Sequence, residues 1–349
     1  MTTVDAPAPA SSGLPRLLVV AGAALALTLV LALFNLTQGE TDSQVGAVLD
    51  NLTRGAPIEG DIESLLIRDV RLPRVLMALM AGAALGLAGV LLQDSLRNPL
   101  ADPSLLGVAQ GASFVVAVSA LYPEVIPPLP VPILTFIGGT LAGGSVLIIS
   151  RNAKNPVRVV LAGAMLSVVF ATLSTAVLQM APRTRSLDAF AYFRFVIGNF
   201  TDVRWEDLRM VLPWFVLAMP VALLSARVVN LLQLGDDAAS GLGLNPGRAR
   251  LALMVLAMVL VTPYVAVIGP IGFVALFAPH VARSLLASAD ARQVMVVAAL
   301  LGSFVLLIAD SAGRLLLFPT EVPAGVFTWI IVGPVALILV GRLGRRGAS

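Results

Sequence analysis

Long apolar runs recur along the whole chain, separated by short polar breaks. They are Leu17–Leu36, Leu72–Leu96, Ser104–Leu121, Ile133–Ile149, Val159–Met180, Met210–Ala226, Leu251–Ile268, a shorter run Gly269–Leu286, Val294–Ala309 and Ala324–Val340. A helix needs roughly 20 apolar residues to cross a hydrocarbon core of about 30 Å. The pattern therefore predicts an all-α, polytopic membrane protein of about ten transmembrane helices in a single domain over residues 16–346. Residues 1–15, rich in Ala, Pro, Ser and Thr, read as a disordered tail. The long polar lead and the lack of a small-x-small cleavage site before Gln38 favour a retained first span over a signal peptide.

The stretch from Arg71 to Ala112 organises the rest. Two arginines flank Pro73, a Gly- and Ala-rich run follows, and Arg97-Asn98-Pro99-Leu100-Ala101-Asp102-Pro103 breaks it before the next run. Gln38–Asp69 is long enough for a small extramembrane helix, and Ala181–Leu208 reads as amphipathic, with short helices or a loop. Tyr122–Pro132 holds too many prolines to be helical throughout. Small residues recur inside the runs, at Gly82, Gly86, Gly89, Gly138, Gly139, Gly143, Gly144 and Gly302, and are expected to let helices pack closely in lipid. Pro213, Pro220, Pro263, Pro270, Pro279 and Pro334 predict kinked or broken helices.

Composition agrees. Of 349 residues, 58% are hydrophobic and 12% charged, against about 45–50% and about 25% in soluble domains. The net charge of +3 is spread as scattered arginines, which argues for membrane topology rather than nucleic-acid binding. Basic residues in the short loops after the fourth, sixth and eighth runs and at the C-terminus favour both termini on the cytoplasmic side.

Chemistry is sparse. There are no cysteines and one histidine, His280, so thiolate and multi-histidine metal sites are excluded. Asp94, Arg97, Asp310 and Arg314 fall near run ends, and no carboxylate lies mid-run, which argues against an ion-coupled carrier and against a membrane enzyme. No GxxxxGK[ST] phosphate loop is present, so any active transport must draw its energy from another polypeptide. Leu234–Arg250 fits that need. Asp236-Asp237-Ala238-Ala239-Ser240 forms a short helix whose acids suit its first turn, Gly241 and Gly243 end it, and Asn245-Pro246-Gly247 turns the chain. A short helix between two spans is either a plain connection or a lever for a soluble partner.

Four blocks together resemble the FecCD-type permeases, the membrane subunits of type II ATP-binding-cassette importers for iron–siderophore, haem and cobalamin, which include the vitamin B12 importer permease. They are RLPRVLMALMAGAALGLAGVLLQ with RNPLADPSLLG; LGDDAASGLGL; IGPIGFVALFAPHVAR; and ADSAGRLLLFPTEVPAGVFTWIIVGP, in family order from Arg71 to Pro334, about three quarters of the chain. Departures are mild: Ala275 where glycine is common, Gln110 where a small polar residue is common, and Val335-Ala336 after Gly-x-Pro.

The resemblance implies a permease that imports a bulky iron chelate by alternating access, with haem or cobalamin as alternative cargo; a secondary carrier or channel is the reading from another class. It implies a homodimer, or a heterodimer with a sister permease, in the cell membrane. Two ATPase subunits carrying ATP and Mg would bind below and an extracytoplasmic substrate-binding protein above, with no cofactor or metal on this chain. Arg71, Arg74 and Arg314 match outward-facing arginines that pair with carboxylates of the binding protein. Leu234, Gly235, Asp236, Asp237, Ala238, Ala239 and Gly241, in the coupling segment 234–247, match the helix that sits in a groove of the ATPase. Asn155 and Pro156 fall where relatives narrow the path at its cytoplasmic end. Asn98, Pro99, Pro279, His280 and Arg283 belong to signature motifs, and His280 is expected to cap or bond within the inner end of the eighth span.

Overall fold

A computed structural model describes residues 13–38, 43–53, 61–122, 129–150, 156–180, 186–317 and 320–334, and every regular element among them is helical. Seven of these helices are long and apolar enough to cross a membrane, and two shorter apolar helices join them. The tenth run is described only as far as Pro334, so the described residues agree with about ten spans.

In chain order the helices are α1 (Gly13–Thr37), α2 (Val45–Thr53), α3 (Ile62–Leu65), α4 (Leu72–Ser95), α5 (Val108–Leu121), α6 (Val131–Ser150), α7 (Pro156–Met180), α8 (Ser186–Ile197), α9 (Trp205–Leu224), α10 (Ala226–Gln233), α11 (Asp236–Gly241), α12 (Pro246–Ile268), α13 (Val274–Leu286), α14 (Ala291–Leu315) and α15 (Ala324–Phe327). π-helical turns at Leu66–Arg71 and Thr328–Val332 join α3 to α4 and extend α15.

Helix α4 is the hub, buried along most of its length. Its small residues explain how. A Cβ added at Gly82 would lie 2.4 Å from the Gly302 carbonyl oxygen of α14, one at Gly86 2.2 Å from that of Ala298, and one at Gly89 1.9 Å from that of Ala275 in α13. The backbones touch, and Ser303 Oγ donates to Leu79 O at 2.7 Å across the same seam. In lipid, where apolar burial drives little, this contact is what holds helices together. A second small-residue seam joins α5 to α6, where a Cβ at Gly111 would meet Ala142 at 2.3 Å.

Helix ends follow local chemistry. Asp61 caps α3, Asn245 caps α12 with Pro246 in its first turn, and Asp290 caps α14, each side chain accepting a backbone N–H. Asp102 caps the turn Pro103–Leu106, and Gly107, at φ 72°, passes the chain into α5.

Three expectations need correction. The second span begins in helix at Ile62, not Leu72, so Arg71 and Arg74 are helical residues. The polar break expected from Asp310 is instead the end of α14, which runs to Leu315. The sixth span starts at Trp205, five residues before Met210, because Asp207 accepts the Arg204 N–H at 2.9 Å and starts the helix. In the first two cases the charges stay helical because they are paired across helices, a relation no single run displays.

Candidate functional site

The directions of α4, α14 and α1 define two ends of the bundle, and each carries a charged cluster. The first contains the start of α4 and the ends of α1 and α14. There Arg74 Nε donates to Asp310 Oδ1 and Oδ2 at 3.0 and 3.1 Å, its Nη2 to Oδ1 at 2.9 Å, and its Nη1 to both oxygens of Glu321 at 3.2 Å. Arg314, one turn after Asp310, lies 3.6 Å from that carboxylate and donates to Asn35 Oδ1 and to Gln38 O at 3.3 Å. Arg71 Nη1 donates to Leu36 O at 2.9 Å and to Ser43 Oγ at 3.2 Å. Asn35 gives its amide to Ser311 Oγ at 2.7 Å.

Arg71, Arg74 and Arg314 are thus 5%, 7% and 8% exposed and turned into the bundle. The arginines that the resemblance matches to docking are therefore buried among the described helices rather than held free at the surface. The reason is physical: Asp310 is buried, and a buried carboxylate demands counter-charge and hydrogen bonds. Among the described members of the cluster, Glu321, with its side chain 39% exposed, reaches the surface. Sequence reading missed Asp310, Glu321 and Asn35 as members; the same-face spacing of Asp310 and Arg314 was the available signal.

The second end holds the close of α4, the start of α14 and the short helix α11. Gly235, at φ 113°, turns the chain into α11. Asp236 accepts from Arg97, at the break after α4, and from Arg250 Nη2 in α12 at 3.0 Å. Arg250 Nε donates to Ser95 O at 2.8 Å and Arg97 Nε to Leu232 O at 3.0 Å. One carboxylate therefore ties α11 to both α4 and α12. Asp237, Ala238 and Gly241 are exposed, as are the flanking Leu234 and Leu242, while Ala239 is packed inward.

Beside it, Arg283 of α13 donates to Asp94 Oδ1 and to Gln93 Oε1, both at 2.8 Å, and Gln93 Nε2 donates to Ala275 O at 3.1 Å. Asn98 Oδ1 accepts the Leu100 N–H at 3.0 Å, shaping the break, and Pro99 is exposed in it. Pro279 is buried against the α4 seam. His280 sits mid-helix, half-buried, and its side chain makes no hydrogen bond among the described residues; the bonding expected of it is made by Arg283. Asn155 lies outside the described residues, and Pro156 opens α7.

Between the ends, a cavity of about 450 Å³ is walled by α5, α7, α12 and the segment before α13, with Tyr192, Phe273 and Trp329 among its lining. Phe273, at φ 69°, stacks edge-on to Trp329 at 4.7 Å. Above it three glycines meet: a Cβ at Gly325 would lie 1.7 Å from Ile197 O, at Gly269 2.0 Å from Phe195 O, and at Gly198 2.5 Å from Pro270 O. No cluster of His, Cys, Asp and Glu among the described residues has the make-up of a metal site.

A tightly packed helical bundle with apolar helices long enough to span a membrane, a charged cluster at each end and a cavity between them has the build of a membrane permease. The particular family follows from comparison: residues 27–342 match the FecCD transport family, and the chain belongs to it. It is 39% identical over 286 residues to the Fe(3+) dicitrate transport system permease protein FecC of Escherichia coli (strain K12), covering 80% of this chain and 84% of that protein. It is 36% identical to the hemin transport system permease protein HmuU of Yersinia pestis, covering 78% and 82%. A solved structure described as an inward-facing metal-chelate type ABC transporter superposes with a TM-score of 0.79 at 26% identity, covering 93% of this chain and 99% of that one. The chain is accordingly a multi-pass permease subunit of a transporter complex.

Proposed function

We propose that this permease imports a ferric chelate of the citrate or siderophore kind, powered by ATP and Mg held on two partner ATPase subunits. The observation that carries the coupling is the double tether of α11: Asp236 binds Arg97, just after α4, and Arg250 of α12 at once. A partner that grips the exposed Leu234, Asp237, Ala238, Gly241 and Leu242 surface moves two spans as one body. The Asp236 end then faces the cytoplasm, with the N-terminus on the same side, since Arg16 of α1 reaches Leu285 O there. The Arg74 end faces outward and docks a substrate-binding protein. Two permease chains, identical or sister copies, enclose the path, and docking and nucleotide binding shift which end is open.

Gly241 supplies the test of coupling. A Cβ there meets nothing within 4 Å, so Gly241→Trp leaves the bundle folded but obstructs a groove that receives α11. Uptake of iron-labelled citrate and chelate-stimulated ATP hydrolysis both fall; normal transport-linked hydrolysis removes the lever role. Cargo is read from a deletion strain grown on ferric citrate, hydroxamate chelates or hemin as sole iron source. Growth lost only on hemin replaces the chelate reading with haem import, which the HmuU likeness makes the second reading.

A further inference from the structure

Arg74 is shared by two carboxylates of opposite character. Asp310 is 1% exposed and takes three of the guanidinium contacts, two of them at 3.0 Å or less. Glu321 takes only Nη1, at 3.2 Å to each oxygen, and its side chain is 39% exposed. Its other bond is from Thr201 Oγ1 at 3.0 Å, in the loop after α8. The backbone beside it is fixed, because Val322 N donates to Gly313 O at 2.9 Å and a Cβ at Gly313 would lie 2.3 Å from Val322 O. Glu321 can leave Arg74 by a side-chain rotation alone. The space it vacates opens Nη1 to the surface of the outer end.

We infer that Glu321 is an internal stand-in for a carboxylate of the substrate-binding protein, and that docking exchanges one for the other on Arg74. The inference rests on the docking reading above. It reconciles that reading with an arginine that is buried: the guanidinium is presented to the partner only where Glu321 now sits. The exchange also sets the local charge. Glu321 offsets one positive charge at Arg74, so an approaching acidic partner is attracted more strongly once Glu321 swings aside. Thr201, released at the same moment, frees the loop whose Gly198 carbonyl accepts from Gly325 N at 3.0 Å, at the start of the last span. Docking is thereby felt beside α15.

The experiment uses the permease–ATPase complex in nanodiscs and the binding protein of the same importer. Glu321→Ala removes the competitor, and Glu321→Gln removes its charge while keeping its shape. A half-exposed ion pair of this kind corresponds to about two- to five-fold in affinity, so Glu321→Ala is expected to bind the binding protein about two- to five-fold more tightly, with a steeper salt dependence, and Glu321→Gln to move the same way by less. In an Arg74→Lys background the gain disappears, because a lysine held by Asp310 has no second fork to offer. Equal or weaker binding by Glu321→Ala, or a gain that persists undiminished with Lys at position 74, overturns the exchange alone. No binding by the unaltered complex overturns the docking reading and the exchange together.

Discussion

Replacing Gly302 by alanine tests the central seam. Helix propensity alone favours the change by about 1 kcal/mol. The structure reverses that sign. The new Cβ would lie 2.1 Å from the Gly82 carbonyl oxygen and 2.9 Å from its carbon, while ordinary contact begins at 3.4 Å. The shortfall is 3.4 − 2.1 = 1.3 Å, and both clashing atoms are backbone, so no rotamer relieves it. Helix α14 must retreat from α4, lengthening the 2.7 Å Ser303–Leu79 bond and the Arg74–Asp310 pair on the same two helices. Overpacking costs about 1–3 kcal/mol in well-packed interiors, and the site sits at the upper end because lipid supplies no compensating collapse. Thermal unfolding in detergent, followed by size exclusion, provides the assay. Gly144→Ala is the control, since a Cβ there meets nothing within 4 Å. Gly302→Ala is expected to melt clearly below wild type while Gly144→Ala melts at or slightly above it. Coincident melting of the two variants refutes the claim that backbone contact at Gly82 and Gly302 holds these helices.

Two further outcomes follow from the charged groups at the second end and the break beside it. Asp236→Ala loses the exposed Arg97 pair, about 0.2–1 kcal/mol, and leaves Arg250 with only Ser95 O among its described bonds; transport is expected to fall further than ATP hydrolysis, and an unchanged ratio of chelate imported to ATP hydrolysed counts against the tether. Burial raises the Asp102 carboxyl above its ordinary 3.8, with the Ser104 N–H opposing the shift. The folded chain then holds the proton more tightly than the unfolded one, so stability from this group is full below about pH 3.8 and is lost as pH rises through the raised value. Asp102→Asn keeps an acceptor for the Ser104 N–H and is expected to raise the melting temperature at pH 7 and flatten its dependence on pH; an unchanged pH profile refutes this.

Much of the bundle was legible in the linear pattern. The apolar runs mark the spans because each must cover about 30 Å of hydrocarbon with side chains alone. Asp236 and Gly241 mark α11, because acids and glycine act on helix ends within a few residues. Gly82, Gly86 and Gly302 mark close packing, though not which helix meets which. What failed was of another kind. Leu72 and Ala309 looked like span ends because charge follows one and precedes the other, yet the helices continue past both. Nothing in the linear pattern showed that Arg71, Arg74 and Arg314 are buried. His280 looked like a bonding residue and Arg283 does the bonding.

The sequence by itself determined the solvent, the helical class, the span pattern and the short helix between α10 and α12, because each depends on residues near one another in the chain. Only the tertiary structure decided that Arg74 would meet Asp310 across 236 positions, that Glu321 would share it, and that Asp236 would tie α4 to α12. A charge's cost and its partner are properties of the three-dimensional surroundings, and a one-dimensional pattern carries neither.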